Sequence, residues 1–237
     1  MRHKSNRLKK FLRARLSSKE SSGLYLTLSL LILLVAAGTF GAIAEDVVTN
    51  DPSTKVDLQL SVWLHQHSVH SITKCLLVIT RLHSLLGVTV MTLAVSAWLW
   101  IRRLRLWVLT LALAVFGGML LNFLLKLAFE RPRPRFDNPL LNLTTYSFPS
   151  GHTLMATVFY GTLGVLIMTR LRSWLWRALV ITLAAGMILL VGFSRIYLGV
   201  HYLSDVLAAI AEGLAWLAFC LLALAALQRR WTFKQDQ

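Results

Sequence analysis

Charged positions punctuate this chain at intervals, and between them lie apolar runs of membrane length. The first run, 23–44, carries no charge; at about 1.5 Å per residue it is long enough to cross a hydrocarbon core of about 30 Å. Runs of the same kind occupy 85–101, 106–125, 151–169, 178–193 and 206–227. The pattern predicts an all-α fold, a polytopic bundle of six transmembrane helices. Between the first two runs the polarity changes twice. Glu45 to Asp57 is acidic and turn-rich, and 58–80 mixes apolar residues with His65, His67, His70 and Lys74. That alternation predicts a loop followed by an interfacial amphipathic helix.

Composition agrees with the pattern: 56% of the residues are hydrophobic and only 15% charged, against roughly a quarter charged in soluble domains. Short connections and the lack of a long Pro/Gly/Ser-rich linker favour one bundle over two domains. The expected division is a basic tail over 1–22, a single transmembrane domain over 23–228 and a second tail over 229–237. Ala42-Ile43-Ala44 resembles a signal-peptide cleavage site. The run before it exceeds the about 7–15 residues of a signal peptide's apolar region, which favours an uncleaved span. Cys75 and Cys220 are far apart in sequence, so neither a disulfide nor a metal framework is indicated.

A net charge of +15 raises the question of nucleic acid, but the basic residues sit at alternate ends of the apolar runs. Lys and Arg in short flanks are retained in the cytoplasm. The two tails and the turns holding Arg102, Arg103, Arg105, Arg170, Arg172 and Arg177 carry 17 of the 25 basic residues. They are assigned to the cytoplasmic side, with both termini. The size and basic tail suit a bacterial plasma membrane. Lys126, Arg131, Arg133, Arg135 and Arg195 fall on the opposite side, where the rule predicts depletion, and call for a functional explanation.

Three segments on that outer side hold the candidate chemistry. His201 and Asp205 are four residues apart and share a helix face, so the carboxylate can orient the imidazole. Lys126 offers a point charge, and Arg133 and Arg195 offer planar forks, together suited to a dianionic phosphate. Pro149-Ser150-Gly151-His152 opens a helix with Ser150 placed as its cap; its free N–H groups make an anion site. His152 stands there, within reach of a leaving oxygen.

Lys126 with Arg133-Pro134 seven positions on, then Pro149 to His152, then Ser194-Arg195 with His201 and Asp205, resemble the three motifs of the type 2 phosphatidic acid phosphatase superfamily. These are membrane lipid phosphate phosphatases. The order and separations match, and the likeness covers the second to sixth spans. It implies hydrolysis of a phosphate monoester or diphosphate on a membrane lipid such as phosphatidic acid, phosphatidylglycerol phosphate or undecaprenyl diphosphate. His201 would be the nucleophile, held by Asp205, and His152 the acid and then the base. Lys126, Arg133, Ser150, Gly151 and Arg195 would bind the phosphate. No metal or other cofactor is implied, and the partners are lipid and membrane, not nucleic acid. A headgroup-binding transporter or scaffold would not need both histidines and Asp205 intact. A phosphotransferase would share the intermediate and differ in its acceptor.

Other polar residues are read structurally. Arg131 and Arg135 are expected at lipid headgroups rather than in the anion site. Glu212, within the sixth span, is expected between helices. His65 and His67, two apart, suit a wetted interface better than a metal site. Trp63, Trp98, Trp100, Trp107, Trp174, Trp176 and Trp231 read as an interfacial belt.

Overall fold

The computed structural model describes residues 21–141 and 143–235. The described residues form eight helices: α1 (Ser21–Thr49), α2 (Ser53–Gln66), α3 (His70–Leu82), α4 (Leu85–Ile101), α5 (Arg105–Phe129), α6 (Gly151–Met168), α7 (Trp174–Tyr197) and α8 (Leu203–Gln235). They contain no strand. α1, α5, α6, α7 and α8 are long and apolar enough to cross a membrane; α3 and α4, bent by 53°, make a sixth crossing if taken as one broken span. Most of the N-terminal basic stretch lies outside the described residues, and the backbone of 229–235 continues α8.

The stretch 45–57, expected as a loop, is mostly helical, 45–49 closing α1 and 53–57 opening α2; the segment expected to be one interfacial helix is two helices, and its second half joins the bundle. α3 is amphipathic, but its buried stripe of Thr73, Leu76 and Thr80 turns toward protein, against α7. Ser84 then takes an extended conformation and its Oγ accepts from the Gly87 N–H at 3.3 Å, starting α4 on a new axis. The stripe's helical period was visible in the sequence; its polar members hid which way it faces.

α6 sits at the centre, packed against α7 and α8, and α1 lies along α8. The core joins Val88 and Leu99 of α4, Leu111 and Val115 of α5, Leu154 and Val158 of α6, and Ala209 and Leu217 of α8. A second cluster, with Leu76 of α3 and Ile196, Leu198, Val200 and Val206, lies under the turn between α7 and α8. α5 contains a π turn at Leu113–Gly117. There the Trp216 ring lies so close that a Cβ on Gly117 would meet it at 2.6 Å, and its indole N–H donates to the Leu113 carbonyl at 3.1 Å.

Candidate active site

The ends of four helices meet at one end of the bundle. α5 stops where Glu130 adopts a left-handed conformation (φ 46°), just after Lys126, and two prolines at 132 and 134 keep the chain extended beyond it. α7 ends just past Arg195, and Gly199 at φ +68° reverses the chain into His201 and the first turn of α8. Only glycine suits that turn. Its φ is left-handed, and a Cβ would lie 2.8 Å from the Phe136 ring. The Ser150 N–H donates to the Asp205 carbonyl at 3.1 Å, tying the start of α6 to that of α8.

The histidine's tautomer follows from its neighbours. Arg133 Nη1 lies 3.1 Å from His201 Nε2, and a guanidinium only donates, so Nε2 carries a lone pair. The proton is therefore on Nδ1, which donates to Asp205 Oδ2 at 3.2 Å. Oδ2 also accepts from the Tyr202 N–H at 3.0 Å. His201 and Asp205 are 1% and 0% exposed. Burial, with Arg133, Arg195 and Lys126 adding to it, holds the imidazole pKa well below its ordinary value. His201 is thus neutral, with its free nitrogen toward the cations.

Those cations are held in different ways. Arg195 is fully buried; Nη1 donates to the Thr80 hydroxyl at 3.2 Å, and Nε and Nη2 have no partner among the described residues. Arg133 is fastened to the 143–149 loop: Nε donates to the Thr145 carbonyl at 2.6 Å, and Nη2 to Thr145 Oγ1 at 2.9 Å and the Tyr146 carbonyl at 3.0 Å. Burial lowers its pKa, partly opposed by Asp205. Lys126 donates to the carbonyls of Tyr146 at 2.7 Å and Ser147 at 3.1 Å. His152, in the first turn of α6, lies close to Arg195, His201 and Arg133. Gly151 packs on Asn122, where a Cβ would lie 3.2 Å from Oδ1.

All eight residues singled out in the sequence, Lys126, Arg133, Ser150, Gly151, His152, Arg195, His201 and Asp205, therefore meet at this end. The capping detail differs. Ser150 occupies the cap position of α6, but its Oγ accepts from the Thr153 hydroxyl at 3.0 Å and makes no hydrogen bond to a backbone N–H.

Arg131 is corrected outright. It turns inward, with Nη1 at 2.7 Å from both Asp205 Oδ1 and Ser204 Oγ, and Nη2 at 2.9 Å from Asp57 Oδ2. Two buried acids outcompete the headgroups for it, whereas Arg135 is exposed. Sequence reading missed Asp57 and Thr80, which come from α2 and α3; no local spacing announces a partner more than seventy residues away. Glu212 accepts from Asn122 Nδ2 at 3.0 Å, joining α8 to α5, and the same amide reaches the Pro149 carbonyl at 3.4 Å. His67 and His65 stack on Trp63 and Phe136.

Residues 107–229 match the family model of the PAP2 superfamily, more than half of the chain and every one of those eight residues. The chain belongs to the PAP2 superfamily. Within it, the PAP2 chain is 40% identical over 112 residues to phosphatidylglycerophosphatase B of Bacillus subtilis, covering 46% of this chain and 55% of that protein. It is 32% identical over 116 residues to an undecaprenyl-diphosphatase of Sulfolobus acidocaldarius, covering 47% and 52%. The matched stretch thus spans about half the length of these relatives. The fold resembles the crystal structure of the transmembrane PAP2-type phosphatidylglycerolphosphate phosphatase from Bacillus subtilis, with TM-score 0.72, 28% identity, and 81% of this chain and 94% of that one covered. It also resembles the LpxE structure from Aquifex aeolicus, with TM-score 0.56, 25% identity, and 70% and 94% covered. This PAP2 chain is a multi-pass integral membrane protein.

Proposed function

We propose that this protein hydrolyses a phosphate monoester or diphosphate on a membrane lipid through a phosphohistidine at His201. The observation that carries the reading is the buried His201, whose Nε2 lone pair faces Arg133 while its Nδ1–H is held by Asp205. An imidazole so oriented is a nucleophile in the required tautomer. The Nε2 lone pair attacks phosphorus and the bond to the leaving oxygen breaks; protonated His152 gives that oxygen its proton. Water then attacks the phosphohistidine with His152 taking a proton, the P–N bond electrons return to Nε2, and inorganic phosphate leaves. Lys126, Arg133, Arg195, the Ser150 hydroxyl and the Gly151 N–H stabilise the charge on the phosphoryl oxygens.

Phosphatidic acid, phosphatidylglycerol phosphate and undecaprenyl diphosphate are the substrates proposed, the last two supported by the named relatives. The site faces away from the cytoplasm, supported by the excess of basic residues at the opposite helix ends. Purified protein should release phosphate from at least one of these lipids, and His201→Ala should abolish it. Retained release in that variant would refute the mechanism.

A further inference from the structure

We propose that Arg131 and Asp57 are positioning residues for the nucleophile, forming with Ser204 a buried relay that aims Asp205 at His201. The proposal rests on the reading of His201 given above. Asp205 divides its two oxygens: Oδ2 serves His201 Nδ1 and the Tyr202 N–H, and Oδ1 serves Arg131 Nη1 at 2.7 Å. Fixing both oxygens fixes the carboxylate plane, and that plane sets where the imidazole lone pair points. Arg131 is fixed in turn: Nη2 meets Asp57 Oδ2 at 2.9 Å, and the guanidinium lies 4.3 Å from the centre of the Tyr202 ring.

Asp57 completes the relay from outside the matched family region. Its Oδ1 accepts from the Ser204 N–H at 2.9 Å, an N–H in the first turn of α8 with no partner inside the helix, and its Oδ2 accepts from the Ser204 hydroxyl. One carboxylate of α2 thus docks the start of α8 and sets the arginine. The side chains of Arg131, Asp57 and Asp205 are 12%, 5% and 0% exposed, so the relay is desolvated and direction-sensitive. Burial opposes the charge on Arg131, but Asp205 and Asp57 outweigh it and raise its pKa, keeping the cation charged. Lysine cannot replace it fully, because one ammonium does not span two acids in a planar fork.

The test measures kcat, KM and the pH dependence of kcat/KM for the full chain in detergent, acting on a short-chain phosphatidic acid. Arg131→Ala is expected to lower kcat about 100-fold, the effect of a misplaced reacting group, with KM little changed. Its acid limb should move to higher pH, because losing a nearby cation raises the proton affinity of the His201–Asp205 pair. Arg131→Lys should restore the limb but only part of kcat. Asp57→Asn should lower kcat by less than Arg131→Ala, and adding it to Arg131→Ala should cost little further, because the amide oxygen can still accept from the Ser204 N–H and the rest of the effect runs through the arginine.

Wild-type kcat with an unmoved acid limb in Arg131→Ala, or a rise in KM alone, overturns the proposal. If Arg131→Ala gives no folded protein, Arg131→Lys and Asp57→Asn decide on the same readouts: wild-type values in both overturn it. A wild-type chain that hydrolyses phosphatidic acid, is silenced by His201→Ala and is indifferent to Arg131 refutes the relay alone. Activity surviving in His201→Ala refutes the nucleophile and the relay with it.

Discussion

Replacing Arg195 by methionine should make the protein more stable and destroy its response to phosphate. Arg195 is fully buried, and among the described residues its one hydrogen-bond partner is Thr80. No carboxylate among the described residues pairs with this buried guanidinium, so its desolvation is offset chiefly by the charge-assisted bond to Thr80, worth about 1.5–3 kcal/mol. Methionine has a similar reach and no donors, and Thr80 keeps its 3.1 Å contact to the Ser194 hydroxyl. The net expectation for Arg195→Met is a gain of about 1–3 kcal/mol without ligand. In the wild type, phosphate should pair with the Arg195 guanidinium, and at 100 times its Kd it should add about 2.7 kcal/mol. Thermal unfolding in detergent, with and without inorganic phosphate, should show Arg195→Met melting higher than wild type in plain buffer and unmoved by phosphate. A variant that melts lower in plain buffer, or that shifts with phosphate as the wild type does, would refute the reasoning.

Gly199→Ala forces a Cβ to within 2.8 Å of the Phe136 ring at φ +68°; it should cost about 1–2 kcal/mol from the left-handed backbone alone and reduce kcat, read by melting and phosphate release together. Acidification should destabilise the fold through His201. Its folded pKa is depressed, so below about pH 6.5 the unfolded chain binds the proton that the native imidazole refuses, and stability falls with pH. Melting temperature followed downward from pH 7 should therefore drop less steeply in His201→Gln than in the wild type, and equal slopes would count against a buried neutral imidazole. Glu212→Gln keeps an acceptor for Asn122 and should change stability by less than about 1 kcal/mol, whereas Glu212→Leu should cost about 1–3 kcal/mol, measured by the same unfolding assay.

What the sequence disclosed and what it hid divide along contact range. Long uncharged runs imply membrane helices because unsatisfied backbone in lipid is so costly, which is why α1 and α5 to α8 were legible. The His201–Asp205 pair was legible because four residues on a helix fix its geometry in advance. Arg131 turns inward because its partners are Asp57, from an acidic stretch that the sequence predicts as a loop and the fold places in α2, and an Asp205 that the sequence pairs with the histidine. A stripe bearing Thr73 and Thr80 suits water as well as a protein interior, so the sequence alone predicts an interfacial α3. Only tertiary packing reveals that Thr80 meets Ser194 and Arg195. The role of Ser150 was foreseen at the right position with the wrong partner, since Thr153, one turn on, offers a hydroxyl that competes with the backbone.

The covalent intermediate is the most direct test. Chain mixed with lipid bearing a radiolabelled phosphoryl group and quenched in alkali within one turnover should carry the label on the peptide containing His201. His152→Ala should slow both the appearance and the loss of the label because His152 serves both steps, and His201→Ala should carry none. Turnover by the wild type with no trapped label under these conditions, or a label that persists in His201→Ala, would contradict the assignment of His201 as the nucleophile.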